Sequence, residues 1–320
     1  IARGRQTGDP IPIFERWLLE QGWSEAELAE VRKQAEIAVA QADEEAVAGA
    51  DPETTFEAKR PLKVELTHPS RERRGTGDGL QLIMRDAIKE VLRDHLRKDD
   101  RVLLLGEDIE DAKGDVFGVT RGLSTQFPGR VINSALTEST ILGTAMGRAL
   151  AGQRPVAFIQ FADFLPLGYN QLVSELAMLY WRTGGQWQAP VIVMAACGGY
   201  RPGLGPYHAQ TYESVVAHTP GLDVFMPSTA SDAAGLLNAA FESERPTVIL
   251  YPKSMLNNPE LTTSADVDRQ FVPIGTARKV RAGRDITLVG WGNTVLLCSR
   301  VAAALETAGV EAEVLDLRCI

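Results

Sequence analysis

The stretch that constrains the fold most is residues 131–170, which read VINSALTESTILGTAMGRALAGQRPVAFIQFADFLPLGYN. It opens with a short β-branched run typical of a strand, after which apolar residues recur at helical spacing. Within that helix Gly143 and Gly147 lie four apart, so we expect another element to approach the backbone closely there. Residues 155–159 then form a continuous apolar run of strand length. The pattern predicts a strand–helix–strand unit with Glu138 at its first corner.

Strand and helix patterns alternate from residue 82 to the chain end. The predicted strands are residues 102–105, 131–132, 155–159, 191–194, 222–226, 247–250, 285–290 and 311–317, and the main predicted helices cover about residues 82–96, 139–150, 165–182, 231–242 and 295–308. Such alternation is typical of an α/β fold with a mainly parallel sheet. Open sheets of this kind bind ligands at the carboxyl ends of their strands.

Several candidate site residues follow predicted strands. Glu138 lies at a strand-to-helix corner, and Gln160, Phe161 and Phe164 come just after the strand at 155–159. One carboxylate and an aromatic pair therefore converge on one sheet edge. Spacing alone is also compatible with a solvated carboxylate at a helix start and with phenylalanines of the core.

Histidines and a further acidic pair complete the candidates. His208 ends a Gly/Pro-rich loop, which is where functional residues are often found, although a solvated loop histidine fits equally well. His95 on an apolar helical face and His218 in a later helix are interpreted as structural. Glu107 and Asp108 follow a predicted strand, and both a site role and a solvated loop remain open.

Three segments resemble the beta subunit of thiamine-diphosphate-dependent 2-oxo acid dehydrogenases, the decarboxylating component of the pyruvate and branched-chain complexes. They are LTEST around Glu138, RPVAFIQFADF over residues 154–164 and YWRTGG over residues 180–185. The resemblance extends from about residue 80 to the chain end. It implies a transketolase-like, parallel-sheet domain that binds the pyrimidine end of thiamine diphosphate, followed by the start of a Rossmann-like C-terminal domain.

The resemblance also implies roles for the candidates. Glu138 matches the glutamate that hydrogen-bonds a ring nitrogen of the cofactor's aminopyrimidine, and Phe164 matches the aromatic residue that contacts that ring. Gln160 and Phe161 lie beside Phe164 and are expected to bind the cofactor as well. The triplet HAQ at 208–210 matches a His-Ser-Gln-like triplet with Ala for Ser. His208 is therefore the second expected catalytic residue, which orients the substrate carboxylate or intermediate and assists acyl transfer.

A second resemblance defines the expected domains. The segment DPIPIFERWLLEQGWSEAEL is similar to the carboxyl-terminal tail of the alpha subunit of the same dehydrogenases, which predicts a fragment of a natural alpha–beta fusion. The expected divisions are a helical tail (1–56), an exposed linker (57–79), the pyrimidine-binding domain (80–253), a second linker (254–271) and a truncated C-terminal domain (272–320).

The expected reaction is oxidative decarboxylation of a branched-chain 2-oxo acid or pyruvate, with acyl transfer to a lipoyl group. Loss of CO₂ leaves an acyl carbanion that no side chain stabilises, so the thiazolium of thiamine diphosphate is required. No metal site is expected in this chain. The Mg²⁺ ligands should come from the alpha portion, in a dimer of alpha–beta units bound to the lipoylated dihydrolipoyl acyltransferase core.

Two glycine motifs resemble known sites: residues 77–79 are rejected as a metal site, and residues 290–292 are only weak evidence for a nucleotide site. Residues 77–79 read Gly-Asp-Gly, like the family's magnesium motif, whose oxygen donors suit Mg²⁺. No apolar strand precedes them, and the Asn expected 25–30 residues later is missing. Residues 290–292 with Asp316 mimic a dinucleotide fingerprint, but Val295 occupies the third glycine position.

Composition narrows the class of partner. The chain has 33 basic and 42 acidic residues and a formal charge of −9, which disfavours nucleic acid and anionic membranes. Its three cysteines form no CxxC pair, so neither a disulfide framework nor a zinc site is expected. Apolar runs fall short of the ~18 residues of a membrane helix, and the first residues lack a signal peptide's apolar core. A cytoplasmic protein is expected.

Three alternative functions remain open. The first is another transketolase-like thiamine-diphosphate enzyme, of the acetoin dehydrogenase or transketolase type. The second is a non-catalytic assembly subunit on the same fold, with Glu138 and His208 idle. The third is a nicotinamide dehydrogenase, which would depend on Gly290 and Asp316.

Overall fold

The computed structural model describes residues 8–51 and 62–320, and these fall in two units, Ile1–Lys59 and Arg60–Ile320. The ends of the expected helical tail and residues 57–61 of the expected linker lie outside the described residues. The first unit contains helices α1 (Pro10–Glu20) and α2 (Glu25–Ala48). A capping box starts α2, where the Ser24 hydroxyl accepts from the Glu27 N–H and the Glu27 carboxylate accepts from the Ser24 N–H.

The second unit contains eleven strands among its described residues. They are β1 (Gln81–Leu82), β2 (Val102–Gly106), β3 (Val131–Asn133), β4 (Arg154–Ile159), β5 (Ile192–Cys197), β6 (Asp223–Phe225), β7 (Thr247–Pro252), β8 (Thr263–Ser264), β9 (Arg278–Arg281), β10 (Ile286–Gly290) and β11 (Ala312–Asp316). Its α-helices are α3 (Val64–Thr67), α4 (Met84–Lys98), α5 (Leu123–Gln126), α6 (Glu138–Leu150), α7 (Leu179–Arg182), α8 (Glu213–Ala217), α9 (Ala230–Glu242) and α10 (Thr294–Thr307).

The main sheet has six strands in the order β3-β2-β4-β5-β7-β6, and every pair is parallel. Successive side chains of a strand point to opposite faces, so each central strand feeds two apolar layers. One layer packs against α4 and α9, and the other packs against α6 and the segment that follows β4. The predicted parallel α/β fold is confirmed.

A smaller sheet follows, in the order β10-β11-β9. β10 and β11 are parallel, and β9 is antiparallel to β11. Helix α10 connects β10 to β11, so this region has the βαβ start that was expected from the sequence. None of the helices in the described parts of the chain is long and apolar enough to cross a membrane.

The structure differs from the sequence interpretation after β4. The single helix expected over residues 165–182 is instead a 3₁₀ helix (Ala162–Gly168), a π-helical segment (Gln171–Ala177) and the short α7. Pro166 lies inside the first segment and has no N–H to donate to a continuous α-helical ladder. The change of helical type turns the chain back across the start of α6.

The segment expected to be an exposed linker at 57–79 also differs over its described residues. Leu66 is buried, Arg73 forms a β-bridge with Phe271, and a 3₁₀ helix covers Pro69–Arg71. Residues of the second expected linker pack as well, since β8 pairs with β1 and a 3₁₀ helix covers Val267–Arg269. Both segments are therefore structured parts of the second unit.

Candidate active site

The carboxyl ends of five neighbouring strands bring the candidate residues to one edge of the main sheet. In the order β3-β2-β4-β5-β7, these ends lead to Glu138, Glu107, Gln160, His208 and Lys253. Parallel strands in an open sheet commonly place ligands at this edge. The edge is therefore a composite site to which each strand contributes one polar group.

Glu138 is the first residue of α6, and its side chain is largely buried, with 9% of the residue exposed. The helix dipole stabilises a negative charge at this end. A Cβ atom added at Gly168 would lie 2.6 Å from Leu142 Cδ1 and 3.2 Å from the Glu138 carbonyl oxygen. The 3₁₀ helix Ala162–Gly168 therefore lies directly on the start of α6, and only glycine allows this approach.

Gly143 and Gly147 do not show the close approach that their spacing predicted. The nearest atom to a Cβ at Gly143 is Gln171 Cγ at 3.8 Å, and nothing lies within 4 Å at Gly147. Both glycines lie on the exposed face of α6.

Glu107 is a second buried carboxyl at the same edge, with 7% of the residue exposed. Burial, and then the neighbouring charge of Glu138, raises the pKa of Glu107 above its ordinary value. Its Oε1 atom has no hydrogen-bond partner among the described residues. Glu107 therefore holds its proton to a higher pH than a solvated glutamate does.

Gln160 connects two loops of the site. Its Nε2 donates to the Glu107 carbonyl, and its Oε1 accepts from the Val116 N–H at 3.3 Å. Gln160 is buried, so these bonds fix the loop after β2 against the end of β4.

Phe161, Phe164 and His208 form one aromatic cluster. The ring centroids of Phe161 and Phe164 are 5.7 Å apart, and the His208 ring lies 4.7 Å from Phe161 and 5.7 Å from Phe164. Phe117 continues the cluster at 5.8 Å from Phe161, and Tyr200 lies 5.9 Å from Phe117. All these pairs meet edge to face, which is a favourable geometry for aromatic rings.

Lys253 and Asp163 belong to this cluster, although the sequence interpretation gave them no role. Lys253 is 4% exposed, and its Nζ lies 2.6 Å from the His208 carbonyl oxygen and 4.7 Å from the Phe161 ring centre. Asp163 Oδ1 accepts from the N–H groups of Ala209 and Gln210, each at 3.1 Å. Lys253 directly follows the buried strand β7, as Glu107 follows β2. A charged residue directly after an apolar strand is a sequence signal that could have identified Lys253 as a candidate site residue.

The other polar candidates lie elsewhere. His95 stacks on Phe241 at 3.8 Å and shares a 3.0 Å hydrogen bond with Asn238, and burial lowers its pKa. His218 follows the last residue of α8, and Asp108 is exposed and paired with Lys113. Within residues 8–51 and 62–320, no three His, Cys, Asp or Glu side chains are grouped so as to hold a metal ion.

Comparisons with known proteins identify the two domains of the second unit. The family "Transketolase, pyrimidine binding domain" matches residues 81–259, and "Transketolase, C-terminal domain" matches residues 275–320. The 2-oxoisovalerate dehydrogenase subunit beta of Bacillus subtilis is 39% identical over 236 residues, which cover 73% of this chain and 71% of the relative. The pyruvate dehydrogenase E1 component subunit beta of Acholeplasma laidlawii is 35% identical with the same coverage.

A solved structure shows the same fold. A split-gene transketolase, described as an inactive beta4 tetramer, aligns with a TM-score of 0.59 and 23% identity over 75% of this chain and 71% of its own.

The fold and the matched domains define a transketolase-like protein of the pyrimidine-binding type. Within that class, the chain belongs to the family of beta subunits of thiamine-diphosphate-dependent 2-oxo acid dehydrogenases. The predicted family and enzyme class are thereby confirmed. The pyrimidine-binding domain implies thiamine diphosphate as cofactor, and a beta subunit implies an alpha-subunit partner.

Proposed function

We propose that this chain forms the pyrimidine half of an active site that oxidatively decarboxylates a 2-oxo acid and passes the acyl group to a lipoyl group. One observation carries the proposal: the buried carboxyl of Glu138 lies on the same sheet edge as the cluster of Phe161, Phe164 and His208.

The residues present fit the pyrimidine end of thiamine diphosphate. A flat heteroaromatic ring needs an apolar wall and a carboxyl in a mostly dry setting, and the edge offers an aromatic cluster beside Glu138 and Glu107. The unpartnered Oε1 of Glu107 marks a polar position that the chain itself leaves unfilled among its described residues. In our proposal Glu138, Phe161 and Phe164 hold the cofactor, and Gln160 contributes by fixing the loop beside them.

The cofactor, when bound, supplies the electron sink that the departure of CO₂ requires. The residues of this chain bind the cofactor, exclude water and orient the substrate. Glu138 would hold a ring nitrogen of the aminopyrimidine through a hydrogen bond, and the aromatic cluster would exclude water from the reacting atoms. His208 faces the same space from the β5 side, where it orients the substrate carboxylate and assists acyl transfer.

The proposal assigns the diphosphate and Mg²⁺ to a partner. The membership of the chain in a family of beta subunits, which implies an alpha-subunit partner, supports this division. We propose that an alpha portion supplies the Mg²⁺ ligands, that two alpha–beta units assemble, and that the lipoylated core of a dihydrolipoyl acyltransferase receives the acyl group.

Branched-chain 2-oxo acids are the first substrate candidates and pyruvate the second. The relative named for 2-oxoisovalerate is 39% identical to this chain, against 35% for the relative named for pyruvate. An enzyme gains only about 1–3 kcal/mol of discrimination per methylene between such acids, so the preferred substrate has to be identified by assay.

The test uses the full-length gene product with its alpha portion, thiamine diphosphate, Mg²⁺ and an artificial electron acceptor. Turnover of 2-oxoisovalerate, pyruvate and acetoin is compared for wild type, Glu138→Gln and the exposed control Glu260→Gln. We expect one 2-oxo acid to be preferred, and Glu138→Gln to lose roughly 100-fold or more because a general acid–base contributes about 10²–10⁴-fold. The control should match wild type.

Two outcomes would contradict the proposal. Preferred turnover of acetoin would indicate the acetoin dehydrogenase alternative. Bound cofactor with no turnover of any substrate, in both wild type and Glu138→Gln, would indicate a non-catalytic assembly subunit.

A further inference from the structure

The peptide group between His208 and Ala209 is held at both ends by charged side chains, the buried Lys253 and the half-buried Asp163. Its carbonyl oxygen accepts from Lys253 Nζ at 2.6 Å, and its N–H donates to Asp163 Oδ1 at 3.1 Å. The same carboxylate oxygen also accepts from the next N–H, that of Gln210, at 3.1 Å. Two side chains from different strand ends therefore fix the plane of the peptide that adjoins the His208 side chain.

The charges match the dipole of the peptide that they hold. A cation lies at its negative carbonyl end and an anion at its positive N–H end, and hydrogen bonds to ionised groups are shorter and stronger than neutral ones. Lys253 is 4% exposed, and its Nζ lies 2.6 Å from the His208 carbonyl oxygen. Burial lowers its pKa, and the nearby charge of Asp163 works in the opposite direction. The ammonium group is thus directed to the peptide and to the face of Phe161.

The position of Asp163 adds a second constraint. It lies in the 3₁₀ helix Ala162–Gly168 together with Phe164, and Phe161 directly precedes that helix. The rings of Phe161 and Phe164 pack on the imidazole of His208, while Asp163 holds the backbone that follows it. One short element therefore contacts His208 through both its ring and its main chain.

We propose that Lys253 and Asp163 are positioning residues that clamp the 208–209 peptide and thereby fix the imidazole of His208 toward the reacting atoms. The clamp is defined by hydrogen bonds and does not depend on the reaction. Its importance for turnover depends on the proposed function of His208.

The first test measures the clamp without substrate, by hydrogen–deuterium exchange of the assembled enzyme. The variants are Lys253→Met, which keeps the stem and removes the charge, and Asp163→Asn, which keeps the shape and removes the charge. We expect the amides of Ala209 and Gln210 to exchange roughly tenfold faster or more in both variants. Asp163→Asn removes the charge from the acceptor of both amides, and Lys253→Met releases the carbonyl of the same 208–209 peptide. The surface variants Lys279→Met and Asp268→Asn should exchange like wild type at these amides.

The second test asks whether Lys253 acts through His208. Lys253→Met should lower turnover roughly 10- to 100-fold in the wild-type background, because a small misplacement of a catalytic group has effects of that size. In a His208→Ala background the same change should cost less than about twofold, since residues that act as a unit are not additive. Lys253→Arg retains the charge and should recover part of the loss.

Unchanged exchange at Ala209 and Gln210 in both Asp163→Asn and Lys253→Met would overturn the clamp. An equal loss from Lys253→Met in both backgrounds would overturn its action through His208. Faster exchange in both variants supports the clamp even if wild type turns over no 2-oxo acid, a result that would count against the proposed function alone. If Lys253→Met does not fold, Asp163→Asn, which also removes a charge from the clamp, provides the same comparison.

Discussion

At the scale of single residues, Asp115 shows how burial and hydrogen bonding oppose each other near the site. Its carboxylate accepts from the N–H groups of Phe117, Gly118 and Val119, which stabilise the charged form. Burial outweighs these bonds and raises the pKa of Asp115 to about 6. The stabilisation by this protonated carboxyl is complete below about pH 4, the value for an unfolded aspartate, and is lost as the pH rises through about 6.

This shift predicts a pH-dependent difference in the free energy of unfolding. Between pH 4 and pH 7, wild type should lose about 2–3 kcal/mol relative to Asp115→Asn, which cannot ionise. Urea unfolding at a series of pH values measures the difference, and the fully exposed Asp100→Asn serves as control. Parallel pH curves for wild type and Asp115→Asn would refute the predicted shift.

At the scale of elements, the contact of the 3₁₀ helix Ala162–Gly168 with α6 determines where Glu138 lies. Gly168→Ala would place a methyl group 2.6 Å from Leu142 Cδ1, and we expect a loss of about 1–3 kcal/mol in the free energy of unfolding. Gly147→Ala is the matched control, because nothing lies within 4 Å of a Cβ there and alanine favours the helix by up to about 1 kcal/mol. Urea unfolding of both variants distinguishes them, and equal effects would contradict the close contact.

The same element shows how far sequence reasoning extends. The helical spacing of the apolar residues and the length of the apolar run at 155–159 correctly predicted α6, β4 and the sheet edge that carries Glu138. Both patterns are local in sequence. The break of the following helix into 3₁₀ and π-helical parts was missed, although Pro166 signalled it. Gly143 and Gly147 resembled a contact surface but are open, whereas the close contact lies at Gly168, a position that depends on tertiary packing.

At the scale of the whole second unit, a buried charge network joins segments that are far apart in sequence. Arg318 is fully buried and pairs with Glu72 at 2.7 Å and with Asp232 at 3.5 Å, while Arg278 pairs with Asp316 at 3.1 Å. Glu72 belongs to the segment that composition indicated to be an exposed linker. Its partner lies 246 residues away, so no local pattern could have predicted the packing.

Removing one member of this network should lower the free energy of unfolding substantially. Arg318→Met leaves Asp232 buried with less positive charge beside it, and we expect a loss of about 3–5 kcal/mol in the free energy of unfolding. The exposed pair of Arg284 with Glu311 gives the control, since Arg284→Met should change stability by less than about 0.5 kcal/mol. Denaturant unfolding measures both, and a small effect of Arg318→Met would show that the network contributes little.

The 3₁₀ helix Ala162–Gly168, together with the preceding Phe161, limits how the proposed site can be redesigned. The rings of Phe161 and Phe164 would be the natural positions to vary when a wider range of substrates is wanted. Both rings pack on the imidazole of His208, so a trimmed ring removes a contact that holds the histidine, and only the hydrogen bonds of Asp163 to the backbone after His208 then remain from this element. If the proposed roles hold, a change that widens the range of substrates also slows acyl transfer, and a library that varies the rings should keep Asp163 fixed.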